Sequence, residues 1–208
     1  MHHPLLPLGA PAAPPPRRIG RLGALMVLAL FAGCAEGETL PGARPGLASQ
    51  AARLPAEAAG FQRGRVIDYE AQRPGYGVGV DYATPSRAAV ATVSLYDRGG
   101  GSVSSDPNSG DIEGELGVAV QEAMEGAGGR SGRRMTESGR VSVPAEGGAL
   151  RCARMEGSFG RSPVRRLVCV GGAGGRFLRV QVTMPESATP VANAEAFAAA
   201  MARAARGR

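Results

Sequence analysis

The stretch RFLRVQVTM, residues 176–184, puts Leu178, Val180, Val182 and Met184 on one side of an extended chain and Arg179, Gln181 and Thr183 on the other. A strict period of two belongs to a β-strand with one buried face. How often this pattern recurs therefore bounds what the chain can fold into. It recurs in RGRVIDYE (63–70), in YGVGVDYA (76–83) with Tyr76, Val78, Val80 and Tyr82 on one face, and in AVATVSLYD (89–97) with Ala91, Val93 and Leu95 opposite Thr92 and Ser94. Three more strands are expected at about 133–143, 149–157 and 164–170. Between the first two strands, AQRPGYG reads as a turn: Pro74 presets φ and Gly75 permits φ > 0.

Two segments switch to the helical period. DIEGELGVAVQEAMEG (111–126) aligns Ile112, Leu116, Ala119, Val120, Ala123 and Met124. Asp111 is expected to cap it, and Glu113 and Glu115 suit the positive end of its dipole. A last helix is expected from Thr189 as N-cap and Pro190 as first helical residue, with Val191, Ala194, Phe197, Met201 and Ala204 inward and Arg203 and Arg206 at its negative end. The expected order is βββ-α-ββββ-α, an α+β domain whose antiparallel sheet of about seven strands is flanked by two helices. This order resembles the PsbP-like fold, shared by photosystem accessory proteins and small bacterial lipoproteins such as the DcrB group. The resemblance is one of element order; it implies a binding or assembly role and assigns no residue a function.

The hairpin LRCARMEGSFGRSPVRRLVCV holds two cysteines. The midpoint of Cys152 and Cys169 falls between Gly160 and Arg161, inside the turn-like 157–163 stretch. Residues equidistant from an antiparallel turn lie opposite each other, within easy reach of a bridge. A Cys152–Cys169 disulfide is the expectation.

The chain's opening gives an address. Arg17, Arg18 and Arg21 lead into an apolar run, 22–32, of eleven residues. A bilayer needs about 20, so the layout is that of a secretory signal peptide. The run ends in Phe31-Ala32-Gly33-Cys34, which resembles the lipobox of bacterial lipoproteins, with Phe31 where Leu is commonest. The resemblance implies that Cys34 carries lipid on sulfur and becomes the new N-terminus. Because Ala35 rather than Asp follows it, an outer-membrane destination facing the periplasm is implied. The expected organisation is a signal peptide over 1–33, a flexible Ala-, Gly- and Pro-rich tether over 34–59, and one domain over 60–208.

Composition narrows the chemistry. Both histidines, His2 and His3, lie in the leader, and every basic residue is Arg. Ser-His-Asp and Cys-His arrangements, the usual zinc sets and lysine nucleophiles all lack their residues beyond the leader. VCVGGAGGRF does not keep G-x-G-x-x-G spacing and precedes a strand, so it reads as a hairpin turn. DPNSGDIE offers Asp106, Asn108 and Asp111 but places Gly110 and Gly117 where calcium ligands are needed. No cofactor, metal or catalytic residue is expected. Residues 34–127 carry seven Arg against thirteen acids, and 128–208 fourteen against five. The Arg-rich half suits an anionic envelope component or acidic protein; nucleic acid is not an expected partner. The reading is a lipid-anchored envelope protein with a binding or accessory role. One alternative is a cell-wall glycan hydrolase using pairs among Asp68, Glu70, Asp81 and Asp97. The other is a carrier of small apolar ligands on the Val-rich sheet face.

Overall fold

A computed structural model describes residues 44–125, 133–187 and 190–208. The alternating segments form one eight-stranded antiparallel sheet: β1 (Glu57–Ala58), β2 (Phe61–Asp68), β3 (Val78–Ala83), β4 (Val90–Tyr96), β5 (Arg133–Val143), β6 (Leu150–Phe159), β7 (Ser162–Ala173) and β8 (Arg176–Pro185). Their spatial order is β1-β2-β3-β4-β8-β7-β6-β5, so two meanders meet where β4 pairs with β8. Three helices complete the α+β domain: α1 (Leu47–Ala52), α2 (Gly110–Glu125) and α3 (Ala194–Ala205). Helix α2 lies in the crossover that carries the chain from β4 to the far edge of the sheet.

Period two divides the sheet into two working faces. Cys152, Leu167, Cys169, Leu178, Val180 and Val182 pack with Phe197, Met201 and Ala202 of α3. On the same side Val78, Val80, Tyr82 and Leu95 join Ala51 and Leu54 around α1. The intervening residues Ala153, Met155, Val168, Val170 and Phe177 pack on the opposite side against Ile112, Leu116, Ala119, Val120 and Ala123 of α2. Helix α2 lies mainly over β5, β6 and β7. The glycine-rich stretch ending β7 is a hairpin turn, with Gly174 and Gly175 at φ +57° and +75°. Gly172 has no room for a side chain, since a Cβ there would meet the Ser104 carbonyl oxygen at 2.1 Å.

Cys152 and Cys169 face each other in the β6–β7 ladder and are joined by a disulfide.

The structure departs from expectation at the element ends. Within the expected tether, 34–59, residues 47–52 are helical and Ala51 and Leu54 are buried in the core, so the domain begins well before residue 60; 34–43 lie outside the described residues. Tyr76 precedes β3 instead of sharing its face, and is 43% exposed beneath the Arg73 guanidinium. Asp111 sits inside the first turn of α2, whose Glu113 amide is bonded to the Ser109 carbonyl, so it is not the cap. Thr189 lies outside the described residues, and α3 starts four residues later than expected: Asn193 caps it through Ala196 N–H, and Val191 is exposed. An asparagine with its own capping acceptor competes with Pro190 for the start, and wins.

Reducing the disulfide should destabilise the domain by about 3 kcal/mol, given a loop of this size. Urea unfolding with and without reductant measures the difference, and the unfolded, unreduced chain should show no free thiol at Cys152 or Cys169.

Candidate functional site

The four carboxylates considered for glycan cleavage are each committed to a local contact. Asp68 Oδ1 accepts the Ala71 N–H at 3.0 Å, forming the turn after β2. Glu70 Oε2 accepts the Gly77 N–H at 2.7 Å and also binds the Gly75 N–H, closing that turn. Asp81 accepts Arg65 Nε at 2.7 Å, and Asp97 accepts Arg44 Nη1 at 3.0 Å. Among the described residues no three acidic, histidine or cysteine side chains group as a metal site would require. Asp106 accepts the Asn108 N–H and so folds its own loop.

A cavity with an apolar floor lies elsewhere, on the α3 face where β6, β7 and β8 run past the start of that helix. It holds about 710 Å³ and is lined by Leu167, Val182 and Met184 together with Arg154, Arg165 and the 190–195 segment. Register explains the mixture. Arg154 stands opposite Leu167, and Arg165 opposite Met184, so both arginines project from the apolar face. The late start of α3 leaves this end of the sheet open; four more residues of helix would add about 6 Å of cover. Arg154 Nη2 donates to Glu195 Oε1 at 2.7 Å. Arg165 Nη2 donates to the Ser187 carbonyl at 2.8 Å, while its Nε is buried with no hydrogen-bond partner among the described residues. Arg166, Glu156 and Glu186 also border it, so an apolar floor of ordinary ligand-site volume is rimmed by charges of both signs.

The opposite face of the sheet is polar where α2 does not reach. Asp81, Thr92, Ser94, Gln181 and Thr183 lie side by side across β3, β4 and β8. Its border with α2 is a buried polar network. Tyr96 Oη donates to Glu115 Oε1 at 2.6 Å, and Arg98 donates through Nε and Nη2 to the same carboxylate, both at 2.7 Å. The Glu115 side chain is only 4% exposed. Burial, then the charge of Glu115 and its hydrogen bond, push the Tyr96 hydroxyl well above the ordinary tyrosine range. The hydrogen bonds to Glu115 raise Arg98, against the opposing effect of its partial burial. Burial favours the neutral form of Glu122, but Arg179 and Arg98 outweigh it and hold the carboxyl below its usual range.

Sequence reading gave Glu115 only a place at the helix dipole and passed over Arg165. Glu115 sits three places after Ile112 and next to Leu116, on the apolar stripe of α2; its place on that stripe was the available signal for a buried partner. Arg165 carried no signal, because its inward direction depends on register with Met184.

No protein-family model matches the chain, and no curated protein matches it. Among solved structures, it is similar to the solution structure of cyanobacterial PsbP (CyanoP) from Synechocystis sp. PCC 6803, at 14% identity over 62% of this chain and 83% of that one, with a TM-score of 0.38. A likeness of that size decides neither family nor function. Among the described residues no helix is long and apolar enough to cross a membrane.

The raised Tyr96 makes stability depend on pH at the alkaline end. The unfolded chain loses this proton near pH 10 while the folded chain keeps it, so its contribution is complete below pH 10 and falls above it. The loss should not exceed about 1.4 kcal/mol per pH unit. Thermal melts between pH 9 and 11 should show a drop that Tyr96→Phe makes shallower.

Proposed function

We propose that this chain is a lipid-anchored binding protein of the cell envelope, holding its ligand in the cleft at the start of α3 without chemically changing it. The observation that carries the reading is the buried Nε of Arg165, a cationic donor without an acceptor, in a side chain lining a cavity of about 710 Å³. Leaving such a donor unpaired is costly, and an oxygen of an anionic ligand would satisfy it. Leu167, Val182 and Met184 supply an apolar bed beside it. The matching ligand has an apolar body and one acidic end. The individual duties of Asp68, Glu70, Asp81 and Asp97 support binding over glycan hydrolysis.

The anchor is the second part of the reading. Cys34 lies outside the described residues, and support for its lipidation is the Phe31-Ala32-Gly33-Cys34 pattern after a short apolar run. Two or more acyl chains give durable attachment, and an oxidising compartment suits the Cys152–Cys169 bridge.

Two measurements test these parts separately. Radiolabelled palmitate should enter the wild-type chain and be lost in Cys34→Ser. Native mass spectrometry of the purified protein should show an acidic amphiphile retained in a one-to-one complex. Arg165→Met, which keeps the bulk and removes the charge, should weaken its retention by about 10- to 100-fold, the worth of one charge-assisted hydrogen bond. Retention unchanged in Arg165→Met would remove the cleft from the reading.

A further inference from the structure

Folding cancels much of the charge division seen along the sequence. Glu113 from the acidic half takes Arg140 and Arg151, Glu122 takes Arg179, and Asp97 takes Arg176. A conspicuous remainder gathers at one end of the domain, where α1, the last turn of α3 and the β7–β8 turn meet.

Arg53, Arg203, Arg206 and Arg208 lie there, and none of them forms an ion pair among the described residues. Their proximity follows from the backbone. Arg206 caps α3, and the Arg208 amide bonds to the Arg203 carbonyl. A Cβ on Gly207 would meet Arg53 Nη1 at 3.1 Å, and one on Gly147 would meet Arg208 Nε at 3.1 Å. Arg206 gives Nε to the Gly172 carbonyl and Nη1 to the Glu146 and Gly148 carbonyls, while its Nη2 is buried without a partner among the described residues. Burial first, and then the neighbouring Arg208, lower the pKa of Arg206 below the ordinary arginine value. The domain thus keeps a guanidinium here at a cost, beside three exposed ones.

This is also the end at which the described chain enters. Arg44 donates to Asp97 beside the β7–β8 turn, and the Pro45 carbonyl accepts Arg176 Nη1. Arg44 stands ten positions after Cys34. A chain of that length reaches at most about 36 Å. The other end of the twelve-residue β7 lies about 36 Å further off.

We propose that the Arg53, Arg203, Arg206 and Arg208 end docks on anionic lipid headgroups of the membrane that holds the anchor. The inference rests on the lipid-anchored reading of Cys34. Headgroup phosphates offer the anionic partners that these guanidinium groups do not find among the described residues, and basic side chains close to an anchor add reversible electrostatic attachment. The domain is thereby oriented, with the β6–β7 turn pointing away from the bilayer.

The lipidated full chain, reconstituted on vesicles of phosphatidylcholine alone or with about a third phosphatidylglycerol, tests this. Amide hydrogen exchange over 201–208 should be about tenfold slower on the anionic vesicles, and about 0.5 M salt should abolish the difference. The double variant Arg203→Glu, Arg208→Glu changes only exposed side chains; it should exchange equally on both vesicles while amides of β7 stay protected as in wild type. Equal exchange of the wild-type protein on the two vesicle types overturns the proposal and leaves the anchor intact. Failure to float with neutral vesicles, or flotation unaltered by Cys34→Ser, overturns the anchored reading and the docking with it. Free inorganic phosphate slowing exchange as much as the anionic vesicles do would assign the site to a soluble anion and overturn the membrane surface as its partner.

Discussion

The register of the β6–β7 hairpin is the constraint on which the rest of this fold depends. With its turn at 160–161, Cys152 comes opposite Cys169, Arg154 opposite Leu167, and Ala153 opposite Val168. A slip of one residue would turn Val168 and Val170 toward α3 and Cys169 toward α2, exchanging the two cores. The disulfide joins the strands on the α3 side, and β8 then reads the same register from β7 through Cys169 opposite Val180. Both helices consequently find apolar surfaces of the right parity waiting for them.

That same register places charge where a hydrophobic pattern would not put it. Arg154 and Arg165 emerge on the apolar face beyond the start of α3, making a cleft from residues that elsewhere would be covered. Glu115 is the counterpart on the other face. It is inward on α2, and its carboxylate is shared by Tyr96 and Arg98, both from the end of β4. The edge of the α2 core is therefore closed by a hydrogen-bonded network whose position is set by where β4 stops.

The strands were legible because Val and Leu alternation is local: Leu178, Val180 and Val182 announce their face within five residues. The cysteine pairing was legible for the same reason, being a matter of counting from a turn. Helix α1 was not. LASQAA is less than two turns long, and its place depends on distant partners: Gln50 Nε2 donates to the carbonyls of Ala173 and Ala205, and Ala51 and Leu54 enter a core built by strands far along the chain. The start of α3 was misplaced because Pro190 fits a first turn in general, while Asn193 has a specific acceptor geometry that only the folded backbone reveals. The cleft was invisible for a related reason, since it exists in the space that the displaced helix start leaves.

The outermost strand of the sheet has a further consequence. β5 is eleven residues long and has one neighbour, β6, so its other side presents unpaired backbone groups. Its ladder slips between Glu137 and Gly139, and Arg134, Glu137 and Arg140 all stand exposed along it. A bulge spoils the straight run a foreign strand would need, and charges of both signs make such an addition pay to shed water. The bulge and the charges therefore disfavour addition of a foreign strand at the β5 edge.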